Sequence, residues 1–177
     1  MRTRAQIVDE YLVLGAQRGQ VGAFERLAER WHPRLLRHAR RLTGDAEGAQ
    51  DAVQDTWLAI ARGLIRLEDP ARFGAWALRI TSRRCADWIS GRQRARQRLA
   101  ESDRSSEPLA PAEPPEVRTA VREVLHRLDP AQRALLAMFY VEGLSVGEIA
   151  EALVVPVGTV KSRLYHARAQ VRAALEV

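Results

Sequence analysis

The chain has 177 residues, 46% hydrophobic and 28% charged, with a formal net charge of +6 and one cysteine, Cys85. That is apolar material for one domain or two small ones. A lone cysteine excludes a disulfide within the chain and fits a reducing cytoplasm, and no run reaches the roughly 18 apolar residues that span a bilayer. The first residues, MRTRAQIVDEYLVLGAQRG, carry acids inside a broken apolar run and do not read as a signal peptide, so the expected location is the cytoplasm. The basic balance favours a polyanionic partner, nucleic acid or an acidic membrane surface.

Helix signals dominate and strand signals are nearly absent. Phe24, Leu27, Trp31, Leu35, Ala39 and Leu42 step by three, four or seven and share one helical face. Pro33 lies inside this run and predicts a break or kink near Trp31–His32. Gly44 ends the run and Asp45 can cap the next helix, expected over about 46–64 with Ala49, Val53, Trp57, Ile60 and Leu64 inward. Pro70 then opens a third helix, with Phe73, Trp76, Ala77, Ile80, Trp88 and Ile89 on its apolar side.

Between Leu99 and Glu116 the periodicity disappears. LAESDRSSEPLAPAEPPE holds four prolines, no aromatic residue, and five acids against one arginine. This composition reads as a flexible acidic linker. Helical order is expected again from Val117, where Val117, Val121, Val124 and Leu128 share a face. Asp129-Pro130 has the form of an N-cap followed by proline at the first helical position, with Gly143 after the helix. Ser145 and Glu148 have capping-box spacing ahead of Ile149 and Leu153, and Pro156 opens the last helix.

A short helix, a tight turn and a longer basic helix make the layout of a helix-turn-helix. On the last helix Val157, Val160, Leu164, Ala167 and Val171 form the inward face. Lys161, the only lysine in the chain, faces outward with Ser162, Tyr165, Arg168 and Arg172, while Thr159, Arg163 and His166 lie along one flank. Lys, Ser and Arg side chains on a helix present donors to guanine edges and phosphates in a major groove.

The N-terminal half carries two faces of opposite sign. Glu47, Asp51 and Asp55 recur every four residues with Gln50 and Gln54 beside them; such a stripe repels DNA and suits a basic protein surface. In the next helix Arg72, Trp76, Arg79 and Arg83 share a face that suits phosphates and an unpaired base. Trp76 fits either a core position or a stacking platform.

GAFERLAERWHPRLLRHARRLTGDAEGAQDAVQDTWLAIARGL resembles region 2 of the bacterial sigma-70 family, and LDPAQRALLAMFYVEGLSVGEIAEALVVPVGTVKSRLYHARAQVRAAL resembles region 4. Two such blocks separated by a linker are similar to the compact extracytoplasmic-function (ECF) sigma factors. The resemblance implies an all-α fold of two small helical domains, a region 2-like domain over 1–98 and a region 4-like domain over 117–177, joined by the acidic linker 99–116. It implies docking on core RNA polymerase, with the β′ clamp helices meeting Asp51, Gln54, Asp55 and Leu58 and the β flap meeting the C-terminal domain. It implies capture of the −10 element by Leu67, Asp69, Arg72, Trp76, Arg79 and Arg83, and of the −35 element by Thr159, Lys161, Ser162, Arg163, Tyr165, His166 and Arg168. The family also implies an anti-sigma partner, no cofactor, no small-molecule substrate and no membrane insertion. Departures from the family pattern are Leu67 where an aromatic is frequent, Arg83 where asparagine is common, and His166 where arginine is usual.

A free-standing helix-turn-helix regulator explains residues 130–175 equally well but leaves the acidic stripe and the Arg–Trp helix without a role. An enzyme is not expected: His32, His38, His126 and His166 lack metal-ligand spacing, and no glycine-rich phosphate loop is present.

Overall fold

The computed structural model describes residues 4–102, 123–125 and 127–175, with 96–102 as backbone only. Among them there is helix and no strand. The N-terminal half has α1 (Arg4–Gln17), α2 (Ala23–Thr43), α3 (Ala46–Gly63) and α4 (Phe73–Ser102), with short 3-10 turns at Leu64–Arg66 and Pro70–Arg72 between α3 and α4. The C-terminal half has α5 (Pro130–Leu136), a π-helical turn (Ala137–Val141), α6 (Val146–Leu153) and α7 (Val157–Leu175).

The predicted punctuation is found at each helix end where it was expected. Gly44 adopts the left-handed conformation (φ 68°) and its N–H reaches the Arg40 carbonyl. The Asp45 carboxylate accepts from the Gly48 N–H at the start of α3, and Arg92 of α4 binds its second oxygen at 2.8 Å. The Gly48 bond, first, and Arg92, second, hold the Asp45 carboxyl below its ordinary value. Asp129 caps α5 through the Ala131 N–H, and Ser145 and Glu148 form a reciprocal capping box on α6.

Four expectations need correction. Helix α2 runs without a break through Pro33. The proline forfeits one backbone hydrogen bond, but Leu27 and Trp31 before it and Leu35, Ala39 and Leu42 after it are all buried, so packing holds both segments on one axis. The stretch expected to be linker from 99 is helical through Ser102, because Leu-Ala-Glu favours helix and the first proline comes only at 108. The rest of the linker, and the helix start expected at Val117, lie outside the described residues. Val157, expected inward, is 46% exposed, since it sits in the first turn of α7 ahead of the packed face. Finally, α1 was not anticipated: Leu12 and Val13 are buried, but Ile7, Val8, Tyr11 and Leu14 are exposed, so its apolar residues do not form one stripe.

The N-terminal core is built from α2, α3 and α4. Leu27, Leu35, Val53, Ile60, Phe73, Ala77 and Leu78 are fully buried, and Trp31 meets Phe73 edge to face at 5.4 Å. Three indole rings lie against glycines. A Cβ on Gly48 would fall 2.2 Å from the Trp88 ring, one on Gly74 2.7 Å from Trp31, and one on Gly63 3.0 Å from Trp76. Cys85 is buried in the same core, and loss of hydration pushes its thiol up to about 12.

The C-terminal half shares a continuous apolar cluster with this bundle and adds polar contacts to it. Arg34 of α2 donates to the Glu142 carboxylate at 2.7 Å and to the Glu142 carbonyl at 3.0 Å. Arg41 and His38 approach the other carboxylate oxygen at 3.5 and 3.7 Å. The Arg133 guanidinium donates to the Leu42 carbonyl in the last turn of α2, which has no partner within the helix's own ladder. His38 is fully buried. Its Nε2 lies 2.9 Å from the Ser82 hydroxyl, and its Nδ1 lies 3.7 Å from a Glu142 carboxylate oxygen. Burial by itself would raise the Glu142 carboxyl; the contacts with His38 and Arg34 outweigh it and hold the pKa at about 2.

Two outcomes follow from this packing. Gly48→Ala places a methyl inside the Trp88 ring and is expected to cost roughly 1–3 kcal/mol, read as a lower thermal midpoint with helicity retained at 20 °C or about that temperature. Glu142 has a depressed folded-state pKa, so its stabilisation is complete above the ordinary carboxylate value and is lost as the pH falls through about 2. The stability of the parent chain over Glu142→Gln, measured in urea, is expected to shrink by up to ~3 kcal/mol as the pH is lowered from about 4.5 to about 2.

Candidate nucleic-acid interface

Helix α7 separates its two faces. Val160, Leu164 and Ala167 are buried and Val171 is half-buried, while Lys161, Ser162, Arg163, Tyr165, His166 and Arg168 are exposed and Thr159 is half-buried. Tyr165 is 69% exposed and meets His166 edge on at 5.6 Å. The turn before α7 depends on Val154, which takes the left-handed conformation at φ 55°. The Val155 N–H then returns to the Ala150 carbonyl, and Pro156 leads into α7. Arg168 is less free than its neighbours, because its guanidinium lies over the rings of Phe139 and Tyr140 at 5.3 and 5.4 Å. Arg163 points off this face into the cleft between the two halves.

The residues assigned to the −10 element lie on α4 and the loop before it. Arg79 and Arg83 line that same cleft, whose other wall includes Asp129, Pro130, Leu135 and Leu153. Trp76 is half-buried, with Phe73 at 6.1 Å and Gly63 beneath its ring, and part of it stays open to solvent. Asp69 caps the turn at Ala71 and pairs with Arg72 at 3.1 Å. Arg72 also lies 3.4 Å from Glu151 of α6, in the other half. Leu67 is turned inward onto the core, so the outward apolar residue of this loop is Ile65, 71% exposed.

Gln17, at the end of α1, was missed. Its side-chain amide donates to the Leu64 and Leu67 carbonyls at 2.9 and 2.8 Å and pins the loop in place. No sequence pattern marks a glutamine that acts on carbonyls about fifty positions away. Glu142 and Arg133 were missed for the same reason: each belongs locally to a helix end, and its partners lie in α2.

On α3 the acidic face stands clear. Asp51, Gln54, Asp55 and Leu58 are exposed, while Ala49, Ala52, Val53, Thr56 and Ile60 are buried on the opposite side. Among the described residues Glu47, Asp51 and Asp55 form no ion pair, and Leu58 adds a half-exposed apolar group to this face. Such a surface is suited to basic side chains with an apolar contact at one end. No helix among the described residues is long and apolar enough to cross a membrane.

Two family models match the chain, one in each half. One described as Sigma-70 region 2 matches residues 27–95, and one described as Sigma-70, region 4 matches residues 118–171. The ECF RNA polymerase sigma factor SigM of Mycobacterium tuberculosis is 34% identical over 92% of this chain and 82% of its own length. The ECF RNA polymerase sigma factor SigE of Mycolicibacterium smegmatis is 30% identical over 85% of this chain, which spans 60% of that relative. Among solved structures, CnrH in complex with the cytosolic domain of CnrY superposes with a TM-score of 0.70 at 29% identity, covering 96% of this chain and 97% of the other.

Proposed function

Because the chain belongs to the extracytoplasmic-function group of the sigma-70 family, we propose that it binds core RNA polymerase and directs transcription from promoters that it selects by their −35 and −10 elements. The observation that carries this reading is the unpaired acidic face of α3, Asp51, Gln54, Asp55 and Leu58, exposed on a chain whose other functional surfaces are basic. DNA repels that face and basic helices of a polymerase subunit attract it. A helix-turn-helix regulator acting alone has no use for it.

In this reading residues 1–98 form the unit that meets polymerase and the melted −10 strand. Residues 99–116 connect the two units, and residues 117–177 grip the −35 duplex. Leu67, held inward by the loop that Gln17 pins, supports that loop in place of the aromatic frequent in the family. Lys161, Ser162, Tyr165 and His166 form the part of α7 most accessible to base edges, and Arg168, stacked on Phe139 and Tyr140, is better placed for a backbone phosphate. Control by an anti-sigma protein in the cytoplasm completes the proposal. Its support is the family itself and a related protein, CnrH, seen bound to a cytosolic domain of another protein.

Transcript starts mapped with purified core polymerase and supercoiled DNA test the whole reading: initiation that depends on the protein is expected, and tight duplex binding without initiation favours the regulator instead. Joint replacement of Asp51→Arg and Asp55→Arg is expected to weaken core binding by at least about tenfold while leaving duplex binding intact. Lys161→Ala, tested on duplexes altered one base pair at a time, separates two contacts. A uniform loss identifies a phosphate, and a loss of about 1–3 kcal/mol confined to one position identifies a base edge.

A further inference from the structure

Helix α1 turns a second apolar stripe to solvent. Leu12 and Val13 seat the helix on the bundle, while Ile7, Tyr11 and Leu14 are 55%, 66% and 39% exposed. Arg4 and Arg18, both exposed, extend the stripe at its two ends. Arg18 follows α1 directly, and its N–H still bonds to the Leu14 carbonyl, so it keeps the helical course. The five positions step by three, four, three and four residues, and at 3.6 residues per turn they fall within about 80° of one another. That alternation is a heptad seam, apolar at its three inner positions and arginine at both ends. The outward face of a helix packed on a bundle is ordinarily polar. Among the described residues neither arginine forms an ion pair.

The charges select the occupant. A second copy of the chain, parallel or antiparallel, would set arginine against arginine at both ends of the seam. An anionic bilayer takes a helix with one broad apolar side and a charged side opposite. In α1 the opposite side is itself apolar and already packed on the bundle, and the outward stripe is narrow. A helix from another protein meets neither obstacle. Its own apolar seam would cover Ile7, Tyr11 and Leu14, and acids at its ends would meet the arginines.

We infer that the outward face of α1 is a docking seam for an amphipathic helix of another protein, apolar along two heptads and acidic at both ends. Arg4 and Arg18 stand about 21 Å apart along the helix axis, which sets the partner's acids about fourteen residues apart and fixes its register. The seam is ordered in advance. Leu12 and Val13 anchor α1, and Asp9 pairs with Arg30 of α2 at 2.9 Å, so docking costs mainly the ordering of the partner. This inference does not depend on the proposed function.

The test uses the full chain and two dye-labelled peptides of about 18 residues. Both carry leucine at the three inner seam positions and alanine or glutamine off the seam; one has glutamate at the two outer positions and its twin has lysine. Fluorescence anisotropy in about 0.1 M salt reads binding. The glutamate peptide is expected to bind the parent at least about tenfold more tightly than the lysine peptide. Arg4→Glu with Arg18→Glu is expected to reverse that order. Tyr11→Ser with Leu14→Ser is expected to weaken the glutamate peptide by about tenfold or more. Both double variants change exposed side chains only, and unchanged thermal midpoints show that they fold. Equal binding of the two peptides by the parent overturns the seam. So does glutamate-peptide binding that survives Tyr11→Ser with Leu14→Ser, because it reports general attraction to a basic chain. Self-association, or binding to vesicles containing about 30% phosphatidylserine, that replaces peptide binding and is lost in that same variant assigns the face to a second copy or to a membrane and overturns the proposal.

Discussion

Close approach between indole rings and glycines governs the N-terminal bundle. Trp31 lies on Gly74, Trp76 on Gly63 and Trp88 on Gly48, so three of the chain's four tryptophans press on backbone that has no side chain. Each pair joins a different combination of segments: α2 with α4, α4 with the end of α3, and α4 with the start of α3. The helices can then sit near enough for small residues such as Ala49, Ala52 and Ala77 to be fully enclosed. That separation fixes how α3 is rotated, which turns Asp51 and Asp55 outward. It also fixes α4, which turns its arginines toward the other half of the chain. The opposite charges of these two faces follow from sequence, but their directions follow from the glycines.

The caps were legible because they are local. Asp45, Asp129 and the Ser145–Glu148 pair act within four residues of themselves, where chain geometry leaves few alternatives. The faces of α3 and α7 were legible because helical periodicity reports burial directly. Pro33 misled because a proline penalty of a few kcal/mol is a local quantity and the burial of Leu27, Trp31, Leu35, Ala39 and Leu42 is not. Helix α1 was missed because its exposed residues are as apolar as its buried ones. The burial of His38 was not legible in the sequence, because its neighbours are Ser82, forty-four residues later, and Glu142, more than a hundred residues later.

The two halves share one interior. Leu27, Leu35, Ile60 and Phe73 of the N-terminal half and Leu135, Met138, Ile149 and Val160 of the C-terminal half belong to one continuous cluster of buried apolar residues, to which the Arg34–Glu142 and Arg133–Leu42 contacts are added. Separating the halves therefore costs apolar burial as well as ion pairs.

Cys85 has a consequence of another kind. Its thiol is buried in the core and raised to about 12, so at neutral pH almost none of it is thiolate. Thiolate is the form that attacks peroxides and disulfides, and these 177 residues contain no second cysteine to resolve a sulfenic acid. Within these 177 residues a cysteine-based response to oxidants therefore has no ready starting point.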